Sequence, residues 1–96
     1  MLIVTYKLLA ESADDSALCK ELQGASAIQV AECCWILPGT KSATDWTNKL
    51  ADLIDEDRDR LMVAVVDSFA EIGWVNAICG DPALGNAIRN ERENTD

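Results

Sequence analysis

Histidine is absent from this 96-residue chain, and bases are scarce, with eight lysines and arginines against seventeen acids. Without histidine, the Ser–His and Cys–His pairs that activate most hydrolase nucleophiles are excluded. The net charge of -9 opposes the phosphate contacts that dominate nucleic-acid binding, so nucleic acid is not an expected partner. The acidity fits either solubility alone or an acidic face that docks on a basic protein partner.

The cysteines are not accompanied by the other ligand residues that a metal site needs. They are Cys19, Cys33, Cys34 and Cys79. Their spacing contains no C-x-x-C pair, and there is no histidine to complete a zinc set. Glycine-rich phosphate and dinucleotide motifs are also missing. The sequence therefore predicts no metal site, no cofactor and no catalytic residue, with the thiols reduced and buried as small apolar side chains.

Long apolar runs are missing as well. No stretch approaches the roughly 20 apolar residues of a membrane helix, and no basic region precedes a long apolar stretch at the N-terminus. Hydrophobic residues still make up 49% of the chain and charged residues 26%, which is typical of a globular domain. We therefore expect one cytoplasmic domain over residues 1–90, a polar tail at 91–96 and no membrane partner.

Three extended segments are predicted. Residues 2–6 form an apolar, β-branched run that is typical of a central strand. Residues 27–37 alternate at first and then lose their phase, which indicates a bulge or two short strands joined by a tight bend. Residues 61–66 are apolar on both faces, which is typical of a strand inside a sheet.

Helices are predicted between and after these strands. The first begins near Ser12 and stops at Gly24, and the second begins at Ser42. The apolar stripe of the second helix consists of Trp46, Leu50, Leu53 and Ile54. Asp81 and Pro82 predict a short C-terminal helix. The economical assembly is an α+β sandwich of the ferredoxin-like type, with two helices on one face of an antiparallel sheet.

In the order of these elements and the residue pattern of its strands, the chain resembles the small CRISPR-associated adaptation proteins of the second Cas family and their SinR-like and VapD-like relatives. The resemblance covers residues 1–76. It is carried by residues 2–8, by residues 27–37 with Gln29 and Trp35, and by residues 61–66 after a capped helix. It implies a ferredoxin-like fold and a homodimer in which the segment after the last core strand pairs across the dimer. The implied interface residues here are Phe69, Ile72 and Trp74.

The same resemblance bears on nuclease chemistry. In that family an aspartate follows the aromatic residue at the end of the first strand, and it is held to bind the metal in members that cut nucleic acid. The matching position here is Lys7, after Tyr6. An ammonium group cannot ligate Mg²⁺ as a carboxylate does, and its charge repels the ion. This departure argues against nuclease activity.

Two functions follow as hypotheses. The favoured one is a non-enzymatic, homodimeric acidic module acting by protein–protein contact, such as a regulator, an antitoxin-like factor or an inhibitor of mobile-element origin. The alternative is a metal-dependent endonuclease of the CRISPR adaptation type with a displaced catalytic carboxylate, for which Asp67, Glu32 and the acids at the helix starts are candidates. The partner surface is predicted where acids crowd the end of the second helix and its turn. These acids are Asp52, Asp55, Glu56, Asp57 and Asp59.

Overall fold

Four strands and three helices are present in the computed structural model, which describes residues 1–9, 14–39, 42–66, 72–73, 75 and 77–93. In chain order they are β1 (Leu2–Lys7), α1 (Ser16–Gly24), β2 (Ile28–Ala31), β3 (Cys34–Leu37), α2 (Ala43–Ala51), β4 (Arg60–Val65) and α3 (Asp81–Glu93). The strands form one sheet in the order β2-β3-β1-β4, and every neighbouring pair is antiparallel. The predicted α+β class with an antiparallel sheet is confirmed.

The extended region predicted at 27–37 consists of two strands. β2 and β3 are joined by a tight turn at Glu32 and Cys33, and their pairing shifts register between Gln29 and Ala31. The tight bend, one of the two alternatives for the lost alternation, is therefore present, whereas the register shift lies in the part of the segment that alternates. Cys33 lies exposed in this turn, and the other three cysteines are only half-buried, so the expectation of four buried thiols is wrong.

β4 differs from its prediction in position. It pairs only with β1, in unbroken register from Val65 opposite Leu2 to Arg60 opposite Lys7. Among the residues that the structure describes, β4 is an edge strand, which corrects the expectation of an interior strand at 61–66. An apolar strand tends to be buried, but its sequence does not show which neighbouring element buries it.

One face of the sheet packs against α1 and α2. The buried cluster on this face comprises Val4, Tyr6, Leu18, Leu22, Trp35 and Leu50. α2 begins where the sequence predicts, because the Ser42 hydroxyl accepts the Asp45 N–H, and Leu50 is completely buried as expected. α1 begins at Ser16, and the predicted cap Ser12 lies outside the described residues.

The opposite face packs against α3. The buried cluster there comprises Met1, Ile36, Ala77, Leu84 and Ile88. α3 continues to Glu93, so three residues of the predicted polar tail are helical. One of these three residues, Glu91, is only 9% exposed. Its carboxylate accepts hydrogen bonds from the Met1 ammonium and the Gly39 N–H. The end of α3 and this long-range contact therefore lie beyond residue 90, the predicted end of the domain.

Candidate functional site

The acids predicted to bind a partner lie at the end of α2 and in the turn before β4, and two of them hold that turn together. Asp59 Oδ2 accepts the Asp55 N–H at 2.9 Å, and Asp59 Oδ1 accepts the Leu9 N–H at 2.7 Å. Asp55 Oδ1 in turn accepts the Asp57 N–H at 2.9 Å. Asp55 and Asp59 therefore have structural roles, and Asp59 fastens the chain after β1 to this turn.

The other three acids of the predicted surface are available to a partner. Asp52, Glu56 and Asp57 are exposed, and their carboxylates accept no hydrogen bond from any residue that the structure describes. The end of α2 and the turn thus carry three exposed carboxylates that accept no hydrogen bond from a described residue. Beside them lie Asp55 and Asp59, whose carboxylates accept backbone hydrogen bonds.

The residues implied as a dimer interface are only partly visible. Phe69 and Trp74 lie outside the described residues. Ile72 is half-buried and packs against the cluster under α3, so part of its surface is used within the protomer.

The end of β1, where the resemblance implies a metal ligand, carries a hydrogen-bonded phenol and a lysine. The Tyr6 hydroxyl donates to Asp15 Oδ2 at 2.9 Å and lies 3.8 Å from the Cys19 sulfur. Burial raises the pKa of Tyr6 above its usual value, the Trp35 indole opposes this shift, and Asp15 and Cys19 add to it. The phenol therefore stays protonated at neutral pH and serves as a hydrogen-bond donor. Lys7, the next residue, is exposed.

A cleft of about 470 Å³ opens beside this phenol. It is lined by Tyr6, Lys7, Leu8, Asp14, Asp15 and Cys33. Both of its carboxylates are engaged, since Asp14 accepts from the hydroxyl and N–H of Ser16 while Asp15 accepts from Tyr6. The hydrogen bond from the Ser16 hydroxyl, with that from its N–H, lowers the pKa of Asp14. The cleft therefore contains a cation and two carboxylates, each of which accepts hydrogen bonds through one oxygen.

Of the candidate carboxylates of the alternative hypothesis, the helix-start acids Asp14 and Asp15 line this cleft, whereas Glu32 does not. Glu32 is exposed in the turn between β2 and β3, and Asp67 lies outside the described residues. Within the described part of the chain, no three His, Cys, Asp or Glu side chains come close enough together to hold a metal ion.

The two edges of the sheet differ in a way that sequence reasoning missed. At the β2 edge, the N–H groups of Ile78 and Cys79 donate to the carbonyls of Val30 and Gln29 at 2.9 and 3.1 Å. At the β4 edge, no described residue outside β1 and β4 themselves makes a backbone hydrogen bond to residues 60–65. One edge is covered by the protein's own chain, and the other is open within the described structure.

Comparison with known protein families, with characterised proteins and with solved structures finds no significant match to this chain. None of the helices in the described ranges is long and apolar enough to cross a membrane. The geometry of the chain's own surfaces therefore carries the functional argument.

Proposed function

We propose that this protein is a cytoplasmic, non-enzymatic homodimer of ferredoxin-like fold that acts through protein–protein contacts and self-associates along the edge of β4. The ferredoxin-like arrangement is supported by the β-α-β-β-α-β order that precedes α3 and by the strand order β2-β3-β1-β4. Four free thiols support a reducing compartment.

The observation that carries the proposal is the edge of β4, to which no other segment of the described residues is hydrogen-bonded. Natural edge strands avoid pairing with other chains through inward charges, proline, bulges or a covering segment. From Leu61 to Val65, β4 contains no charge, no proline and no break in register. β2, at the other edge, has both an irregular register and a covering segment at Ile78 and Cys79. Within the described residues only the β2 edge has such protection, and this difference favours pairing of β4 with another strand.

The exposed side chains of β4 fit this interpretation. Met62 is 58% exposed and Val65 is 57% exposed, and they lie on opposite faces of the sheet. An antiparallel β4 strand from a second copy would cover part of both side chains, and a twofold axis makes the contact self-complementary. Each residue must pair with one on its own face, so Met62 would lie opposite Met62 or Ala64 of the second copy.

The acidic turn gives such a dimer its second surface. Asp52, Glu56 and Asp57 precede β4 directly in the chain and remain exposed. A dimer built on β4 would carry two of these groups, which suits a regulator or inhibitor that docks on a basic protein partner.

Sedimentation equilibrium at micromolar concentrations tests the self-association. We expect a wild-type dimer, and we expect Met62→Lys and Val65→Lys to sediment as the 10.4 kDa monomer because each places an ammonium group at the paired edge. Ile78→Lys is the matched control, since Ile78 is 52% exposed and lies beside β2. Circular dichroism of each variant verifies that the fold is kept.

Two results would overturn the proposal. A wild-type protein that sediments only as a monomer removes the homodimer. A dimer that survives both substitutions in β4, or that Ile78→Lys disrupts equally, places the interface elsewhere.

A further inference from the structure

Among the residues that the structure describes, the sheet face under α3 is covered only at one end. Met1 and Ile36 belong to the buried cluster beneath the helix, and Ile3 packs against it. At the other end of this face, Thr5 and Lys7 belong to neither buried cluster. This uncovered part of the face, which we call the open end, is a surface distinct from the outer edge of β4.

Two cations lie opposite each other on the open end. Lys7 of β1 and Arg60 of β4 are direct cross-strand partners, and both are exposed. Neither makes an ion pair with any described residue. Like charges directly opposite in a sheet are destabilising. Because the chain has only eight bases, placing two of them in this unfavourable arrangement needs an explanation outside the fold.

Apolar surface adjoins the cations. Thr5 and Met62 form the next cross-strand pair along β1 and β4, and Met62 is 58% exposed. The side chains and backbone here form a shallow depression of about 310 Å³. It is lined by Thr5, Tyr6, Lys7, Arg60, Leu61 and Met62. The open end therefore combines two positive charges with an exposed thioether.

We propose that the open end binds a short acidic segment of a partner protein, with a carboxylate between Lys7 and Arg60 and an apolar side chain against Met62. Charge complementarity is the argument, because an anion between two facing cations turns their repulsion into attraction. This inference goes beyond self-association through β4. In the two β4 pairings given above, the residue of the second copy that faces Arg60 is Ala64 or Val66, and neither carries a carboxylate.

The surroundings favour a protein segment over nucleic acid. The neighbouring cleft, which shares Lys7, contains Asp14 and Asp15, and the whole chain carries a net charge of -9. A long polyanion would bring further phosphates against these acids, whereas a single carboxylate flanked by apolar residues would not. Met62 offers a contact for an aliphatic side chain rather than a platform on which a base could stack.

Fluorescence anisotropy with a defined probe tests this binding. The probe is a short, fluorescein-labelled peptide of alternating glutamate and valine, and its control has glutamine in place of glutamate. We expect the glutamate peptide to bind the wild-type protein more tightly and to be weakened by added salt. Lys7→Glu should weaken binding about tenfold, since it replaces an attraction by a repulsion. Lys20→Glu, the same charge change on the exposed side of α1, should leave binding unchanged.

Thermal unfolding of the same variants separates binding from folding. Lys7→Glu places opposite charges on the two facing positions, so its Tm should rise by about 2–5 °C while peptide binding becomes weaker. A variant that is more stable and yet binds less cannot have lost binding by unfolding. Because Lys7 lies on β1, the substitution leaves the residues of the β4 edge unchanged.

Three outcomes would overturn the proposal. They are equal binding of the glutamate and glutamine peptides, unchanged binding in Lys7→Glu, and displacement of the peptide by inorganic phosphate or a single-stranded oligonucleotide at equal or lower concentration. The last outcome would assign the open end to phosphate groups.

Discussion

Met1 and Glu91 form a buried ion pair between the first residue before β1 and the last turns of α3. The Met1 ammonium donates to Glu91 Oε1 at 3.0 Å, and Glu91 Oε2 accepts the Gly39 N–H at 2.9 Å. One carboxylate thus joins α3 to the start of β1 and to the chain just after β3. These contacts fix the position of the helix that leaves the other end of the sheet face open.

We expect Glu91→Gln to lower the free energy of unfolding by about 3 kcal/mol, because removing one partner leaves a buried charge uncompensated. Urea unfolding at neutral pH measures this loss. Glu93→Gln, on the exposed side of the same helix, is the matched control and should change stability little. A loss below about 0.5 kcal/mol for Glu91→Gln would show that the ion pair does not hold α3 in place.

Leu50→Ala should cost about 2–5 kcal/mol, the range for shortening a large buried side chain. Leu50 is fully buried between α2 and the sheet, whereas Trp46, one turn earlier, is half-buried with the Lys49 ammonium 4.6 Å from its ring centroid. Chemical unfolding of Leu50→Ala and of the exposed control Asn48→Ala measures the difference. Equal stability of the two variants would mean that the apolar stripe does not face the sheet.

Helix α2 could be predicted from the sequence because its signals are local. The Ser42 cap and the stripe of Trp46, Leu50, Leu53 and Ile54 lie within residues 42–54. Ser42 caps the helix and Leu50 is buried as predicted, whereas Leu53 and Ile54 lie past the helix end at Ala51 and are partly buried against the same cluster. The position of β4 could not be predicted in this way. Its residues are apolar on both faces, and an apolar run is equally typical of an interior strand and of an edge that pairs with another molecule.

The surfaces of functional interest depend on pairings that no local pattern contains. Lys7 and Arg60 meet through the register of two strands that lie far apart in sequence. The sequence places Glu91 in a polar tail, because its partner, the Met1 ammonium, lies 90 residues away in the chain. The sequence alone shows that Lys7 departs from the pattern that the resemblance implies. That Arg60 lies opposite it follows only from the strand pairing in the sheet.

The acids of the α2–β4 turn should respond oppositely to substitution. Asp59→Ala removes the acceptor of two backbone N–H groups, at 2.7 and 2.9 Å, and should destabilise the protein by about 1–3 kcal/mol. Glu56→Ala removes an exposed acid near a helix C-terminus and should leave stability unchanged or raise it slightly. Thermal unfolding of both variants checks this contrast. A Glu56→Ala variant that loses as much stability as Asp59→Ala would contradict the division into structural and available acids.

Stability should fall at alkaline pH because folded-state thiols and a phenol resist ionisation. Burial raises the pKa of both Cys19 and Cys34 above the usual 9.0. The unfolded chain ionises first, so this stability is complete below about pH 9 and is lost as pH rises through the folded-state pKa values. Urea midpoints measured with a reductant across this range follow the loss.

Cys34→Ala tests this alkaline decline, because it removes a half-buried thiol whose pKa is raised by burial. The decline should be shallower in this variant than in the wild type. Identical slopes in the two proteins would show that this thiol does not contribute.

We expect no metal-dependent cleavage of DNA or RNA. Lys7 occupies the position at which the resemblance implies a metal-binding aspartate, and the neighbouring Asp14 and Asp15 accept hydrogen bonds from Ser16 and Tyr6. A cation at this position repels Mg²⁺ and supplies no oxygen ligand. Incubation of the protein with single- and double-stranded substrates in Mg²⁺ or Mn²⁺, analysed on denaturing gels, checks this. Cutting by the wild-type protein that disappears in Glu32→Ala or Asp67→Ala would contradict the expectation and establish an endonuclease with a displaced carboxylate.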